Sequence, residues 1–152
     1  MPSLADLLTI ETSASIFYSY AREVELSQMF GDSRSNSTVL VPTNKAVMAL
    51  SRKPHQGPPP TDSGVIVSQE EYDSKSKEYV EHWVSAHIVP SVVGLGSYDT
   101  LLEGVTVTFK DAGGDEEPEW RRVVVNDDIH IIAKKEASNG VLYMIDGTVK
   151  TD

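Results

Sequence analysis

The sequence predicts a single α+β domain in which helices come first and an antiparallel sheet follows. In the first half of the chain, apolar residues recur at helical three- and four-residue intervals behind side chains that cap helices. In the second half they alternate with polar residues, as they do in strands. Strands and helices do not alternate as in parallel βαβ units, and 152 residues is the length of one domain. We therefore expect one domain over residues 1–152.

Two helices open the predicted fold. Ser3 and Asp6 indicate a capped helix start, because the Ser3 oxygen can accept a hydrogen bond from an early amide, and a short helix through Leu8 follows. From Ser13 onward apolar side chains again line one helical face, and Gly31 is the predicted end of this second region.

A strand, a cap and a helix follow in one short unit. Residues 38–41 are rich in β-branched side chains, and Pro42 ends this strand. Thr43 or Asn44 then supplies the oxygen that caps the next helix, which runs toward Leu50.

The middle of the chain predicts a loop and then a long helix. Residues 53–64 are rich in proline and glycine, so we interpret them as a surface loop inserted within the domain. Residues 68–71 form a capping box, and the helix behind it carries Trp83, Val84 and His87 on its apolar side and ends near Pro90.

The remaining chain predicts strands separated by turns. Residues 105–109 alternate valine or phenylalanine with threonine, and further apolar runs cover residues 122–125, 129–134 and 141–145. Glycine, asparagine and aspartate lie between these runs, which is typical of hairpin turns.

Composition excludes several classes of function. Thirteen basic against twenty-three acidic side chains give a formal charge of -10, which argues against nucleic acid and anionic lipid surfaces as partners. The chain has no cysteine, hence no disulfide and no thiolate chemistry. Its apolar runs are too short to span a bilayer, so we expect membrane association only through an anchor absent from this chain.

Three segments, in this order and spacing, resemble the motifs of the fasciclin domain family. The first motif is residues 38–47 (TVLVPTNKAV), the central motif is residues 86–90 (AHIVP), and the second motif is residues 139–147 (NGVLYMIDG). Residues 4–8 (LADLL) also fit, so the likeness covers nearly the whole chain.

The resemblance implies a fasciclin-like fold, with N-terminal helices packed on a mostly antiparallel β wedge or sandwich. It implies a non-enzymatic adhesion or interaction module that binds a protein or glycan partner without a cofactor. The setting it implies is secreted, at the cell surface, matrix or cell wall, with the vacuole as the alternative.

The polar motif residues have a structural interpretation that needs no ligand. Caps, strand ends and buried hydrogen bonds account for these positions, and Gly140 can take the positive φ that a turn requires. We accordingly assign a structural role to a set of motif residues: Thr38, Pro42, Thr43, Asn44, His87, Pro90, Asn139, Gly140 and Asp146. The binding residues stay unassigned, with the loop at residues 58–61 and the acidic hairpin near Asp115 as exposed candidates.

The departures from the family pattern argue against integrin binding. Ala86 stands where the central motif usually has tyrosine. Lys134 and Lys135 stand where some animal members carry an Asp-Ile pair implicated in integrin binding, and there is no Arg-Gly-Asp tripeptide. A specific partner surface needs its particular groups, so a fungal, plant or bacterial type of member is favoured.

No pattern in the chain predicts catalysis or a metal site. His82 and His87 are five residues apart, which is not the zincin spacing. The acidic segment from Asp111 to Glu119 has Glu116 where a calcium loop needs glycine, and Asp127 with Asp128 indicates a turn. A hydrolase would require a serine or carboxylate within reach of His87 or His130 in an open cleft.

Two further expectations concern glycosylation and small ligands. Asn36 begins the sequon Asn36-Ser37-Thr38 and is the candidate glycosylation site. The alternative function is binding of a small apolar ligand such as a pigment or lipid, in a groove lined by Trp83, Tyr98 and Trp120.

Overall fold

A computed structural model describes residues 2–22, 32, 36–50, 54, 69–91, 93–114, 119–126 and 128–149. Within these ranges the chain has the predicted α+β architecture. The helices are α1 (Leu4–Ile10), α2 (Ser15–Ala21), α3 (Asn44–Met48) and α4 (Gln69–Ser85). The strands are β1 (Ser37–Pro42), β2 (Ile88–Val89), β3 (Gly96–Asp99), β4 (Thr106–Asp111), β5 (Val123–Val125), β6 (Ile129–Ala137) and β7 (Gly140–Ile145).

The start of α1 has the predicted capping box. The Asp6 amide donates to Ser3 Oγ at 3.2 Å, and the Ser3 amide donates to Asp6 Oδ2 at 3.1 Å. Helix α2 covers Ser15–Ala21, and the predicted end of this helical region at Gly31 lies outside the described ranges.

The strands form one mixed sheet in the order β2-β1-β7-β6-β5-β4-β3. Only the β1–β7 pair of this order is parallel, and the other neighbours pair antiparallel. The sheet curls so that its two ends meet. The Leu101 amide, just after β3, donates to the Ile88 carbonyl of β2 at 2.9 Å. This curl encloses apolar side chains between the two halves of the sheet.

Two apolar clusters fill the fold, one on each side of β1 and β7. The helix-facing core lies between the helices and the sheet and includes Leu4, Leu8, Phe17, Val39, Val41, Val47, Trp83, Val84, Leu142 and Met144. The inner-sheet core lies within the curl and contains Leu40, Ala86, Val89, Val107, Phe109, Val125, Ile129, Ile131, Ile145 and Val149. Because both faces of β1 are covered, all six of its residues are buried.

Helix α4 ends earlier than the sequence predicted. It stops at Ser85 rather than near Pro90, and the His87 amide closes a tighter turn on the Val84 carbonyl at 3.0 Å. Ile88 then pairs with Val39 of β1, so the sheet takes two residues that the apolar pattern had assigned to the helix.

Two predictions about the middle of the chain lie outside the described residues. They are the Ser68 cap and the loop insertion at residues 53–64, of which the structure describes Pro54 alone. The helices within the described ranges are all too short or too polar to cross a membrane.

Candidate functional site

The first and second motifs lie side by side in the sheet. Strand β1 runs parallel to β7 with Ser37 opposite Gly140 and Pro42 opposite Ile145. The Thr43 amide continues the contact by donating to the Ile145 carbonyl at 3.1 Å. The first and second motifs thus form one structural unit between β2 and β6.

Asn139 joins that unit to the start of α1. Its Oδ1 accepts from the Leu4 amide at 2.9 Å, its Nδ2 donates to the Asp32 carbonyl at 3.0 Å, and its own carbonyl accepts from the Ser37 amide at 3.2 Å. The side chain is buried, with 1% exposed. The Leu4 amide is one of the four that a helix start leaves unsatisfied, so Asn139 supplies a partner that α1 lacks.

Gly140 is required by a close backbone approach. A Cβ at this position would lie 2.0 Å from the Ser37 carbonyl oxygen and 3.0 Å from Leu4 Cδ1. Its φ of +156° is positive, as predicted, and residues with a side chain rarely adopt it, so the backbone conformation and the close contact with β1 both favour glycine.

Thr43 and Asn44 cap two different helices. Thr43 Oγ1 accepts from the Ala46 amide at 3.2 Å and caps α3. Asn44 reaches across to α2, where its Oδ1 accepts from the Ile16 amide at 2.9 Å. Its Nδ2 donates at 3.0 Å to the Thr12 carbonyl and to Ser15 Oγ. The sequence offered either residue as the cap of α3, and the structure gives that role to Thr43 alone.

Thr38, Pro42 and Pro90 lie along the strands that the motifs build. Thr38 is fully buried, and its Oγ1 donates to the Ser91 carbonyl at 2.8 Å, which ties β1 to the segment behind β2. Pro42 is the buried last residue of β1, and Pro90 is exposed just after β2.

His87 is fully buried and spans three parts of the fold. Its Nδ1 lies 2.7 Å from the Trp83 carbonyl, and its Nε2 accepts from the Val149 amide at 2.9 Å. These partners define the tautomer, because a carbonyl requires the proton on Nδ1 and an amide donor requires a bare Nε2. Burial lowers the pKa of His87 to about 4, against a smaller raising effect of the Trp83 carbonyl. The ring is therefore neutral at neutral pH.

Asp146 lies beside His130 at the end of β7. Its Oδ1 accepts from the His130 amide at 2.8 Å, and its Oδ2 lies 3.2 Å from His130 Nδ1. This is the carboxylate contact that the hydrolase alternative needed. The His130 and Asp146 side chains are exposed, and neither His130 nor His87 hydrogen-bonds a serine hydroxyl in the described chain. The pair anchors the end of β7 to the start of β6.

The acidic side chains of the described residues do not converge on a metal site. Within the described ranges, no group of three or more histidine or acidic side chains is placed to hold an ion. Asp111 Oδ2 instead lies 3.7 Å from Arg122 Nε, and Asp111 Oδ1 accepts from the Gly113 amide at 2.7 Å. Residues 115–118 and Asp127 lie outside these ranges.

Lys134 and Lys135, which stand where some animal members carry the Asp-Ile pair, have partners within the chain. Lys135 forms an ion pair and hydrogen bond with Glu11, and this contact is the main reason that the pKa of Glu11 lies below its usual value. Lys134 Nζ lies 4.0 Å from Glu136 and 5.9 Å from the centre of the Tyr143 ring.

A cavity of about 320 Å³ opens on the sheet beside the inner-sheet core. Leu95, Trp120, Val123, Ile131 and Lys134 are among the residues that line it. Its wall comes from separate segments, so no local pattern in the sequence marked it.

The groove predicted from three aromatic residues is corrected in part. Trp120 lines the cavity. Trp83 does not, because it packs in the helix-facing core with its ring 4.7 Å from that of His87. Tyr98 lies next to the cavity, packed edge-on against Phe109 and accepting from the Gly94 amide at 2.9 Å.

The sequon is accessible at its first residue only. Asn36 is exposed immediately before β1, whereas Ser37 and Thr38 are buried in the strand. A glycan on Asn36 would project into solvent from the residue before β1.

Comparison with known proteins gives a family match over most of the chain. The family model of the fasciclin domain matches residues 12–150. A FAS1 domain-containing protein of Saccharomyces cerevisiae is 30% identical over 97% of this chain and 62% of its own length. One of Emericella nidulans is 28% identical over the same shares, and one of Aspergillus fumigatus is 33% identical over 59% of this chain and 40% of its own. The chain thus spans about 40 to 62% of the length of these relatives.

The fold also matches a solved structure. A FAS1 domain pair from the insect cell adhesion molecule fasciclin I superposes with a TM-score of 0.62 over 98% of this chain and 51% of that one, at 14% sequence identity. At this identity the match shows the fold, which is the one that the motifs predicted.

Proposed function

Because the chain belongs to the fasciclin domain family, we propose that it works as a non-enzymatic interaction module that binds a protein or a glycan. The family match over residues 12–150 carries this proposal, since members commonly act in adhesion or interaction. The solved relative is itself a cell adhesion molecule. The charge of -10 weighs against nucleic acid as the partner.

The use of the motif side chains supports recognition elsewhere on the surface. The polar side-chain atoms of Asn44, His87 and Asn139 form hydrogen bonds with backbone and side-chain groups inside the fold. Lys135 stands at a position that is linked to integrin binding in some animal members, and it forms an ion pair with Glu11. We therefore propose a partner other than an integrin.

The location that we propose is the cell surface, cell wall or surrounding matrix, with the vacuole as the alternative. The exposed Asn36 of the sequon supports passage through the secretory pathway. Expression of the secreted chain in a yeast tests whether Asn36 accepts a glycan on this route, because endoglycosidase should then increase the mobility of the wild type and leave Asn36→Gln unchanged.

Binding to isolated fungal cell walls tests the interaction module. A single copy should bind weakly and saturably, and two linked copies should bind more tightly through avidity. Pretreatment of the walls with protease or with glucanase and chitinase then distinguishes a protein from a glycan partner. Equal retention of the native and heat-unfolded chain would contradict specific recognition by the fold.

The cavity favours a second candidate function, the binding of a small apolar ligand. Its volume of about 320 Å³ is at the lower end of the range typical of ligand sites, and most of the residues that line it have apolar or aromatic side chains.

A further inference from the structure

The cavity beside the inner-sheet core combines an apolar body with one cation. Val123, Ile131 and Trp120 contribute apolar surface from β5, β6 and the turn before β5. Lys134 is the lysine in the lining, and its side chain is 32% exposed, so most of the apolar stem is covered while the charged end can still reach solvent or a ligand.

The fold holds this cation in place. In the β6–β7 register Lys134 lies opposite Tyr143, and its Nζ lies 5.9 Å from the Tyr143 ring centre. The Glu136 carboxylate Oε1 lies 4.0 Å from Lys134 Nζ. Because the Glu136 side chain is 67% exposed and solvated, its attraction for Lys134 is weak. The Arg121 guanidinium lies 5.5 Å from the centre of the Trp120 ring, and Trp120 lines the cavity.

A cation in such a wall selects the charge of a ligand. The chain carries a formal charge of -10, so most of its surface repels an anion. An anion gains binding energy only beside a cation that is partly shielded from water. A carboxylate near Lys134 would gain a charge-assisted hydrogen bond, while an alkyl chain would displace water from the apolar wall.

We propose that this cavity binds a medium-chain fatty acid, with its alkyl chain against Val123 and Ile131 and its carboxylate on Lys134. The inference rests on the second candidate function and adds the ligand's chemical class and the residue that recognises it. It is independent of the interaction module.

Three ligands that share the same alkyl chain and differ in the charge of the head group test the proposal: decanoate, decanol and decylammonium. Each is titrated below its micelle concentration into the isotopically labelled chain, and nuclear magnetic resonance follows the two indole N–H signals. Trp120 lines the cavity and should shift, whereas Trp83 lies in the helix-facing core and serves as the internal control. Decanoate should bind most tightly and decylammonium least.

Substitutions then assign the charge selection. Lys134→Met keeps an apolar stem and should weaken decanoate by at least about tenfold, about 1.4 kcal/mol, while changing decanol by less than about twofold. Lys77→Met removes an exposed lysine of α4, which does not line the cavity, and should change neither. Val123→Phe should fill the cavity and weaken all three ligands. If that variant unfolds, Leu95→Phe gives the same test at a side chain that is 54% exposed.

The outcomes separate this proposal from the function that it rests on. Equal binding of decanoate and decanol, with no effect of Lys134→Met, would overturn carboxylate recognition and leave an apolar-ligand site. An unshifted Trp120 signal with every ligand would overturn both.

Discussion

At the residue scale, position 140 is constrained by the Ser37 carbonyl oxygen of the neighbouring strand. A Cβ there would lie 2.0 Å from that oxygen, and a backbone atom cannot rotate away as the end of a side chain can. The parallel β1–β7 pairing, which supports both cores, therefore depends on the absence of one methyl group.

We expect Gly140→Ala to lower the free energy of unfolding by at least about 2 kcal/mol, because β1 or β7 must shift to accept the new atom. Urea unfolding measures this. Gly94→Ala is the matched control, since its Cβ would meet only Tyr98 Oη at 3.8 Å and should cost little. Equal stability of the two variants would contradict the close approach.

His87 is a second residue whose chemistry is set by its surroundings. Protonation would place a hydrogen on Nε2, facing the Val149 amide that now donates to it, and would leave a charge in the core. Burial accordingly lowers the pKa of His87 from 6.5 to about 4.

This pKa predicts a loss of stability in acid. Between pH 6.5 and about 4 the unfolded chain binds a proton at His87 that the folded chain excludes, so stability falls as the pH drops through this window. The loss attributable to His87 reaches roughly 3 kcal/mol at about 1.4 kcal/mol per pKa unit. Urea unfolding at pH 7 and pH 4 measures the total loss, to which carboxylates also contribute.

The variant His87→Gln isolates the histidine contribution, because glutamine does not titrate. Its loss of stability between the two pH values should be smaller than that of the wild type by the amount assigned to His87. Equal losses in the two proteins would show that the ring is not kept neutral by the fold.

At the scale of elements, both short N-terminal helices form hydrogen bonds with side chains of distant segments, in addition to the local capping box of α1. Helix α2 has no side-chain cap from its own N-cap residue, Ala14, and Asn44 supplies one from the start of α3. Asn139 likewise serves the first turn of α1 from the start of β7. Helices of seven residues are too short to be stable alone, so these contacts fix where they begin as well as how they pack.

A pair of neighbouring substitutions separates the two caps. Asn44→Ala should lower the free energy of unfolding by about 1–2 kcal/mol and accelerate hydrogen exchange at the Ile16 amide. Thr43→Ala should cost about 1 kcal/mol and act on the Ala46 amide instead. If both substitutions accelerated exchange at Ala46 alone, Asn44 would be a cap of α3 after all.

At the scale of the whole molecule, the features that could be predicted are those that depend on near neighbours. The Ser3 capping box, strand β1 and the alternation of β4 follow from residues a few positions apart, and the motif spacing identified the fold. The parallel pairing of β1 with β7 could not be predicted, because it joins segments far apart in the chain. That pairing is also what places Asn139 beside α1.

The errors have the same physical origin. The apolar pattern extended α4 through Ile88, but pairing with Val39 drew that residue into the sheet. Trp83 was expected in a groove with Trp120, yet the sheet separates the helix-facing core from the cavity. Long-range contacts decided each case over the local pattern.

The motif side chains build the fold and leave recognition to other surfaces, and two measurements on Asn44→Ala test this directly. The unfolding midpoint and the affinity for the cell-wall partner are measured on the variant and the wild type, with affinity taken well below both midpoints. We predict a lowered midpoint with an affinity unchanged within about twofold, since the lost contacts are internal. An unchanged midpoint with lost binding would contradict the structural role and place Asn44 in the binding surface.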